Sequence, residues 1–129
     1  MENLLDAHTL IWFINGDEDL SEEAKNKIET AGAINYVSIA SLWEIAIKIS
    51  LRKIELKTLF AEIRNQIRVN SFQILPVSFE DTLTVSTLPF HHRDPFDRIL
   101  IAQAVNNNLQ ILTKDAAFEN YNVSNGLVI

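Results

Sequence analysis

The sequence predicts an α/β fold: a central, mainly parallel β-sheet of four to five strands flanked by helices. Three observations carry that prediction. Short apolar runs recur at residues 3–5, 34–37, 72–77 and 109–112, with helix-like stretches between them. Such runs suit strands covered on both faces, the condition of a parallel sheet. The chain has 129 residues, 47% of them hydrophobic and 22% charged, with no repeat or Pro/Gly-rich linker. That balance fits one globular domain over residues 1–129 with a core of its own.

Each element has a local reason. The first strand, 3–5, ends at Asp6. Residues 9–14 read as an apolar helix stopped by Asn15-Gly16. Residues 21–30 read as a helix with Ser21 as N-cap and Glu22 and Glu23 in the first turn. A second strand covers 34–37. Ser41-Leu42-Trp43-Glu44 has the spacing of a capping box, although a start near Ser38 also fits; the helix runs to about Arg52. Its apolar residues fall on more than one face, which suits a partner or a central position.

Residues 58–69 predict an amphipathic helix with Leu59, Ile63 and Ile67 on one stripe. A third strand covers 72–77, and a short helix 79–87. Residues 91–94 form a polar loop. Asp94-Pro95 then starts a helix, Asp at N-cap and Pro at N1, that runs to about Asn106. A fourth strand at 109–112 is followed by Thr113-Lys114-Asp115, a short helix and a last strand at 127–129.

Composition removes whole classes of function. The chain has no cysteine, so disulfides, thiolate nucleophiles and Cys-based zinc sites are excluded. The longest apolar runs, 9–14 and 99–105, fall short of the roughly 20 residues that span a bilayer. The start, Met-Glu-Asn-Leu-Leu-Asp, has no basic segment, and the expectation is a cytoplasmic protein without membrane association. The net charge is −6. A nucleic-acid partner therefore needs a local basic patch or a bound cation.

In parallel sheets ligands gather at the carboxyl ends of the strands. Asp6 follows the first strand, Asp115 the fourth, Glu44 lies in the helix after the second, and Asp97 opens the helix before the fourth. Carboxylates brought together repel one another unless protonated or neutralised by a cation. Oxygen ligands select hard cations, Mg²⁺ or Mn²⁺. The same residues also have structural readings. Asp6, Asp94 and Asp115 can cap helices, and Asp97 can serve as a first-turn acid. Glu44 can pair with Lys48 for about 0.3–0.5 kcal/mol. His8 stands alone, and His91-His92 read as solvated loop residues. Trp12, Phe13 and Trp43 suit a core or an interface.

Four segments together resemble a known family: Leu4-Leu-Asp-Ala-His-Thr-Leu-Ile-Trp12, Ser41-Leu-Trp-Glu-Ile-Ala-Ile-Lys48, Asp94-Pro-Phe-Asp-Arg-Ile-Leu-Ile-Ala-Gln-Ala104 and Leu112-Thr-Lys-Asp115. They are similar to PIN domains, in particular to the VapC-type toxins of prokaryotic toxin–antitoxin pairs. The resemblance implies a PIN-like fold and a Mg²⁺- or Mn²⁺-dependent endoribonuclease, a hydrolase with an acidic quartet at the sheet edge. The quartet maps onto Asp6, Glu44, Asp97 and Asp115. Asp97 is preferred to Asp94 because Ala102 and Ala104 keep the family's spacing from it. Asp6 and Asp97 match the main metal ligands, with Glu44 and Asp115 binding directly or through water. Thr9 and Thr113 match small hydroxyl positions near the acids, and Asp94 supports them.

A cation in such a site makes hydroxide available near neutral pH and stabilises charge on the phosphodiester. Lys48, Arg93 and Arg98 are candidate phosphate contacts, against an ion pair for Lys48 and solvated charges for the arginines. The resemblance also implies an RNA substrate, transfer RNA among the candidates, a cognate antitoxin protein and a homodimer. The alternative is a non-catalytic PIN-fold protein-binding module. A receiver-like domain fits less well, because Asn3-Leu4-Leu5-Asp6 offers one acid. A haloacid-dehalogenase-like site lacks its second Asp, since position 8 is His.

Overall fold

The computed structural model describes residues 2–90, 94–115 and 118, and the backbone at 127–128. Five strands make one sheet: β1 (Glu2–Leu5), β2 (Ile34–Ser38), β3 (Gln73–Leu75), β4 (Gln110–Thr113) and β5 (Leu127–Val128). Their order is β3-β2-β1-β4-β5, and every pairing is parallel. The helices are α1 (Ala7–Asn15), α2 (Glu22–Glu29), α3 (Ile39–Ser50), α4 (Ile63–Val69), α5 (Phe79–Thr87) and α6 (Pro95–Asn107). Among the described residues no helix is long and apolar enough to cross a membrane.

β1 lies at the centre, and its side chains alternate between two cores, as the period of two in a strand demands. Leu5 stands in register with Val37 and Leu112. This trio packs with Leu10 and Ile11 of α1, Ile45 of α3, and Ile63 and Ile67 of α4. Leu4 is in register with Ile111, and both pack on Leu100, Ile101 and Ala104 of α6. Each such leucine or isoleucine contributes roughly 1.5–3 kcal/mol of burial. The sheet is therefore sealed on both faces, and its ligand-facing edge is left to the strand ends.

At the opposite end, Asn3 and Asn35 are in register and buried. Asn3 donates to Oδ1 of Asn35 at 2.9 Å, and Asn35 donates to the carbonyl of Ile28 at 2.9 Å. This pair ties the sheet to the C-terminal turn of α2.

Two helix starts differ from the sequence expectation, and for α3 the structure takes the Ser38 start of the two the sequence allowed. α1 begins at Ala7 and is capped by Asp6, whose side chain accepts from the Thr9 N–H at 2.9 Å. Thr9 is thus inside the helix. α3 is capped by Ser38, the last residue of β2, so the capping box at Ser41 does not form. The expected helix over 58–69 shrinks to a 3₁₀ turn at Phe60–Glu62 followed by α4. Ile63 and Ile67 are buried as the stripe predicted, but Leu59 is exposed, so burial gives no reason to extend the helix back to it. β3 is shorter than the expected 72–77. The short helix expected after Asp115 lies outside the described residues, apart from buried Phe118.

Candidate active site

The strand ends deliver the acids. β1 passes into α1 through Asp6 alone, and β2 passes into α3 with no intervening residue. Glu44 therefore sits in the second turn of a helix that starts at the sheet. Asp94 caps α6, accepting from the N–H groups of Phe96 at 2.8 Å and Asp97 at 3.3 Å. Pro95 supplies the N1 residue, as expected. Asp97 follows in the first turn, and Asp115 lies two residues beyond β4.

One cavity of about 220 Å³ is lined by Asp6, Ala7, His8, Glu44, Lys48, Asp94, Asp97 and Asp115. All four acids singled out in the sequence face it, together with Asp94. Asp6 and Glu44 are buried, at 7% and 5% exposure. Asp6 is fixed from two sides: Oδ1 accepts the Thr9 N–H, and Oδ2 accepts the Thr113 hydroxyl at 2.6 Å. The Thr113 oxygen in turn accepts the N–H of Asp115 at 3.0 Å. Glu44 Oε2 accepts from the Lys48 ammonium at 2.7 Å. Among the described residues, no three His, Asp or Glu side chains stand in a metal-ligating arrangement as they are oriented here.

The supporting residues divide. Thr113 touches Asp6 directly. The Thr9 hydroxyl instead donates to the carbonyl of Leu112 at 3.0 Å, pinning α1 to β4. Lys48 lines the cavity while paired with Glu44, so the expected ion pair forms at the cavity itself. Arg98 is not a solvated charge. It is 6% exposed and donates to the carbonyls of Val85, Leu88 and Pro89 at 3.0–3.2 Å, with its guanidinium 4.3 Å from the Phe90 ring. It closes the C-terminal end of α5 onto α6. Arg93 lies outside the described residues, as do His91 and His92.

Two features escaped the sequence. His8 lines the cavity, and its ring lies 5.7 Å from that of Trp12. The spacing of four residues on one helix was the available signal. Lys114 places its ammonium 4.9 Å from the Trp12 ring, a contact between chain ends that no local pattern encodes.

Beside the cavity an apolar groove of about 560 Å³ runs between α3 and α6, lined by Ile39, Ala40, Trp43, Val77, Pro95, Phe96 and Ile99. Trp43 is 64% exposed and meets Phe96 edge-on at 5.3 Å. Each aromatic residue immediately precedes an acid of the cavity, Glu44 or Asp97.

Similar structures share this architecture. A chain of VapBC2 from Rickettsia felis, solved with a DNA fragment from its promoter, superposes with a TM-score of 0.69 at 14% identity, covering 95% of this chain and 94% of that one. A chain of a toxin–antitoxin complex from Klebsiella pneumoniae gives 0.66 at 19% identity over 98% of both chains. DNA-bound VapBC from Salmonella typhimurium gives 0.62 at 19%, over 95% and 94%. No curated protein matches the sequence. The PIN domain model matches residues 4–123, a span that runs from the second half of β1 through β4 and takes in every acid of the cavity, and the chain belongs to the PIN-domain family.

Proposed function

We propose that this PIN domain is the toxin of a VapBC-type pair, a Mg²⁺- or Mn²⁺-dependent endoribonuclease restrained by a cognate antitoxin. The observation that supports the reading most is the convergence of five carboxylates, from four separate parts of the chain, on one cavity at the carboxyl edge of a parallel sheet. Such a concentration of like charge calls for a cation. The donor set is all oxygen, which fits a hard divalent ion. Asp6, Glu44, Asp97 and Asp115 are the residues that would hold it. Asp6 is already oriented by Thr9 and Thr113, whereas Glu44 has its Oε2 engaged by Lys48.

When bound, the cation supplies Lewis acidity, lowering the pKa of a nearby water and offsetting charge on the phosphodiester. The chain supplies orientation. Thr113 fixes the carboxylate of Asp6 and the backbone of Asp115 together. Asp94 holds the first turn of α6, and with it Asp97. The groove around Trp43 is the surface we assign to a second copy in a homodimer, and the cytoplasm is the expected place of action.

The test is cleavage of total and transfer RNA by purified protein with Mn²⁺ or Mg²⁺, then with EDTA, beside Asp97→Asn. Metal-dependent cleavage absent from the variant is expected. Equal cleavage by both proteins points to a contaminant. No cleavage and no metal binding returns the acids to helix capping and leaves the binding-module reading in place.

A further inference from the structure

Five carboxylates line the cavity, and among the described residues Lys48 is the lysine or arginine that faces it. Its position is specific. The ammonium is 2.7 Å from Glu44 Oε2, the glutamate side chain is 7% exposed, and the lysine side chain is 29% exposed. A surface i, i+4 pair is worth little. Here one partner is buried inside an acidic cavity, where an ammonium also offsets the repulsion among its neighbours. The lysine stem reaches solvent, so the head group can turn outward without unpacking α3.

We propose that Lys48 is a positioning residue that acts as the resident counter-cation of the site. Its ammonium holds Glu44 while the cavity has no metal. It gives up the carboxylate when a divalent cation binds and then serves at the rim as a contact for a substrate phosphate. This rests on the metal-dependent nuclease reading and adds to it what engages Glu44 Oε2 in the present structure. It also makes Lys48 a competitor of the metal and a helper of the RNA.

The two roles have opposite signatures. Mn²⁺ is titrated calorimetrically into the wild type, Lys48→Met and Lys48→Arg, and kcat and KM for RNA are measured on each. Lys48→Met is expected to bind Mn²⁺ about five- to tenfold more tightly, the size of one charge-assisted contact removed. Its KM should rise several-fold with kcat within about twofold, and Lys48→Arg should restore both values. A purely structural helix pair predicts a lower melting temperature and no change in metal affinity, and that result overturns the inference alone. Tighter metal binding with an unchanged KM also overturns it. If wild type and variants all fail to bind Mn²⁺, the metal-dependent reading falls and takes the inference with it. If Mn²⁺ binds but no RNA is cut, the nuclease reading falls, and an unchanged affinity in Lys48→Met would still count against the counter-cation role.

Discussion

Thr113 donates its hydroxyl to Asp6 across 107 positions of sequence, at 2.6 Å, while the same oxygen accepts the N–H of Asp115 at 3.0 Å. One hydroxyl thus couples the acid that follows β1 to the acid that follows β4. Thr113→Val removes a donor from a buried carboxylate and an acceptor from a backbone N–H. The expected cost is about 1–3 kcal/mol in urea unfolding. RNA cleavage should fall by about 10–100-fold, as for other groups that orient metal ligands. Thr113→Ser should keep most of both. Full activity in the valine variant would show that Asp6 needs no such anchor.

Asp94 and Asp97 stand three residues apart at the start of α6, yet they should behave differently. Asp94 is the N-cap. Asp94→Ala should cost about 1 kcal/mol, whereas Asp94→Asn should cost almost nothing because asparagine caps equally well. Asp97→Asn should leave the unfolding midpoint nearly unchanged and abolish cleavage. Chemical denaturation and RNA cleavage on the three proteins separate cap from ligand.

Arg98 should be a stability residue. Its guanidinium satisfies three carbonyls from the end of α5 and the loop beyond it. Arg98→Ala leaves those acceptors without this donor, and a loss of roughly 2–4 kcal/mol is expected. Lysine cannot reproduce the planar fork, so Arg98→Lys should rescue little. A phosphate-binding role would instead appear as a raised KM at normal stability.

The groove at Trp43 makes a prediction about assembly. Sedimentation velocity should show the wild type as a dimer and Trp43→Glu as a folded monomer, because a charge in an apolar contact is not compensated. A monomeric wild type would end the homodimer assignment.

Tyr36 gives the fold a pH signature. The phenol is pushed above its ordinary value, first by burial and then by the neighbouring Glu2 carboxylate, which accepts its hydrogen bond at 3.4 Å. The folded protein therefore keeps this proton where the unfolded chain has begun to lose it. The associated stability is present below about pH 10, the unfolded value, and is lost as pH rises through the folded one. Tyr36→Phe should flatten that part of the stability profile. Glu2→Gln should bring the tyrosine titration, followed by ultraviolet absorbance, back toward the ordinary value.

Much of this was legible in the sequence because it is local. α5 occupies Phe79–Thr87 as expected, and its Ser78 cap is joined by Asp81 in a reciprocal box. Asp94-Pro95 marked the start of α6 correctly. Asp6, Asp97 and Asp115 could be named because each follows or opens an element with a clear pattern, and Glu44 because it lies in the helix after the second strand. What failed was long-range. Leu59 continues the spacing of Ile63 and Ile67, but no neighbour covers it. Ser41 fits a capping box, yet α3 begins at the end of β2, so Ser38 caps it and Ser41 is buried in the helix. The hydroxyl of Thr9 and the guanidinium of Arg98 donate to backbone carbonyls of other segments, although the Thr9 N–H does hold Asp6. Helix spacing counts what a residue could face and says nothing of what the rest of the chain brings there.

The absence of any connecting loop between β2 and α3, and the single residue between β1 and α1, has a kinetic consequence. Asp6 is mounted directly on the sheet and Glu44 on a helix that starts at it, so no connecting loop lies between either acid and the sheet. The amides of Leu5 and Thr9 should then exchange with deuterium as slowly as the centre of the sheet, released only when the whole domain opens. Among the described residues, these two acids are thus carried by regular structure that moves with the sheet.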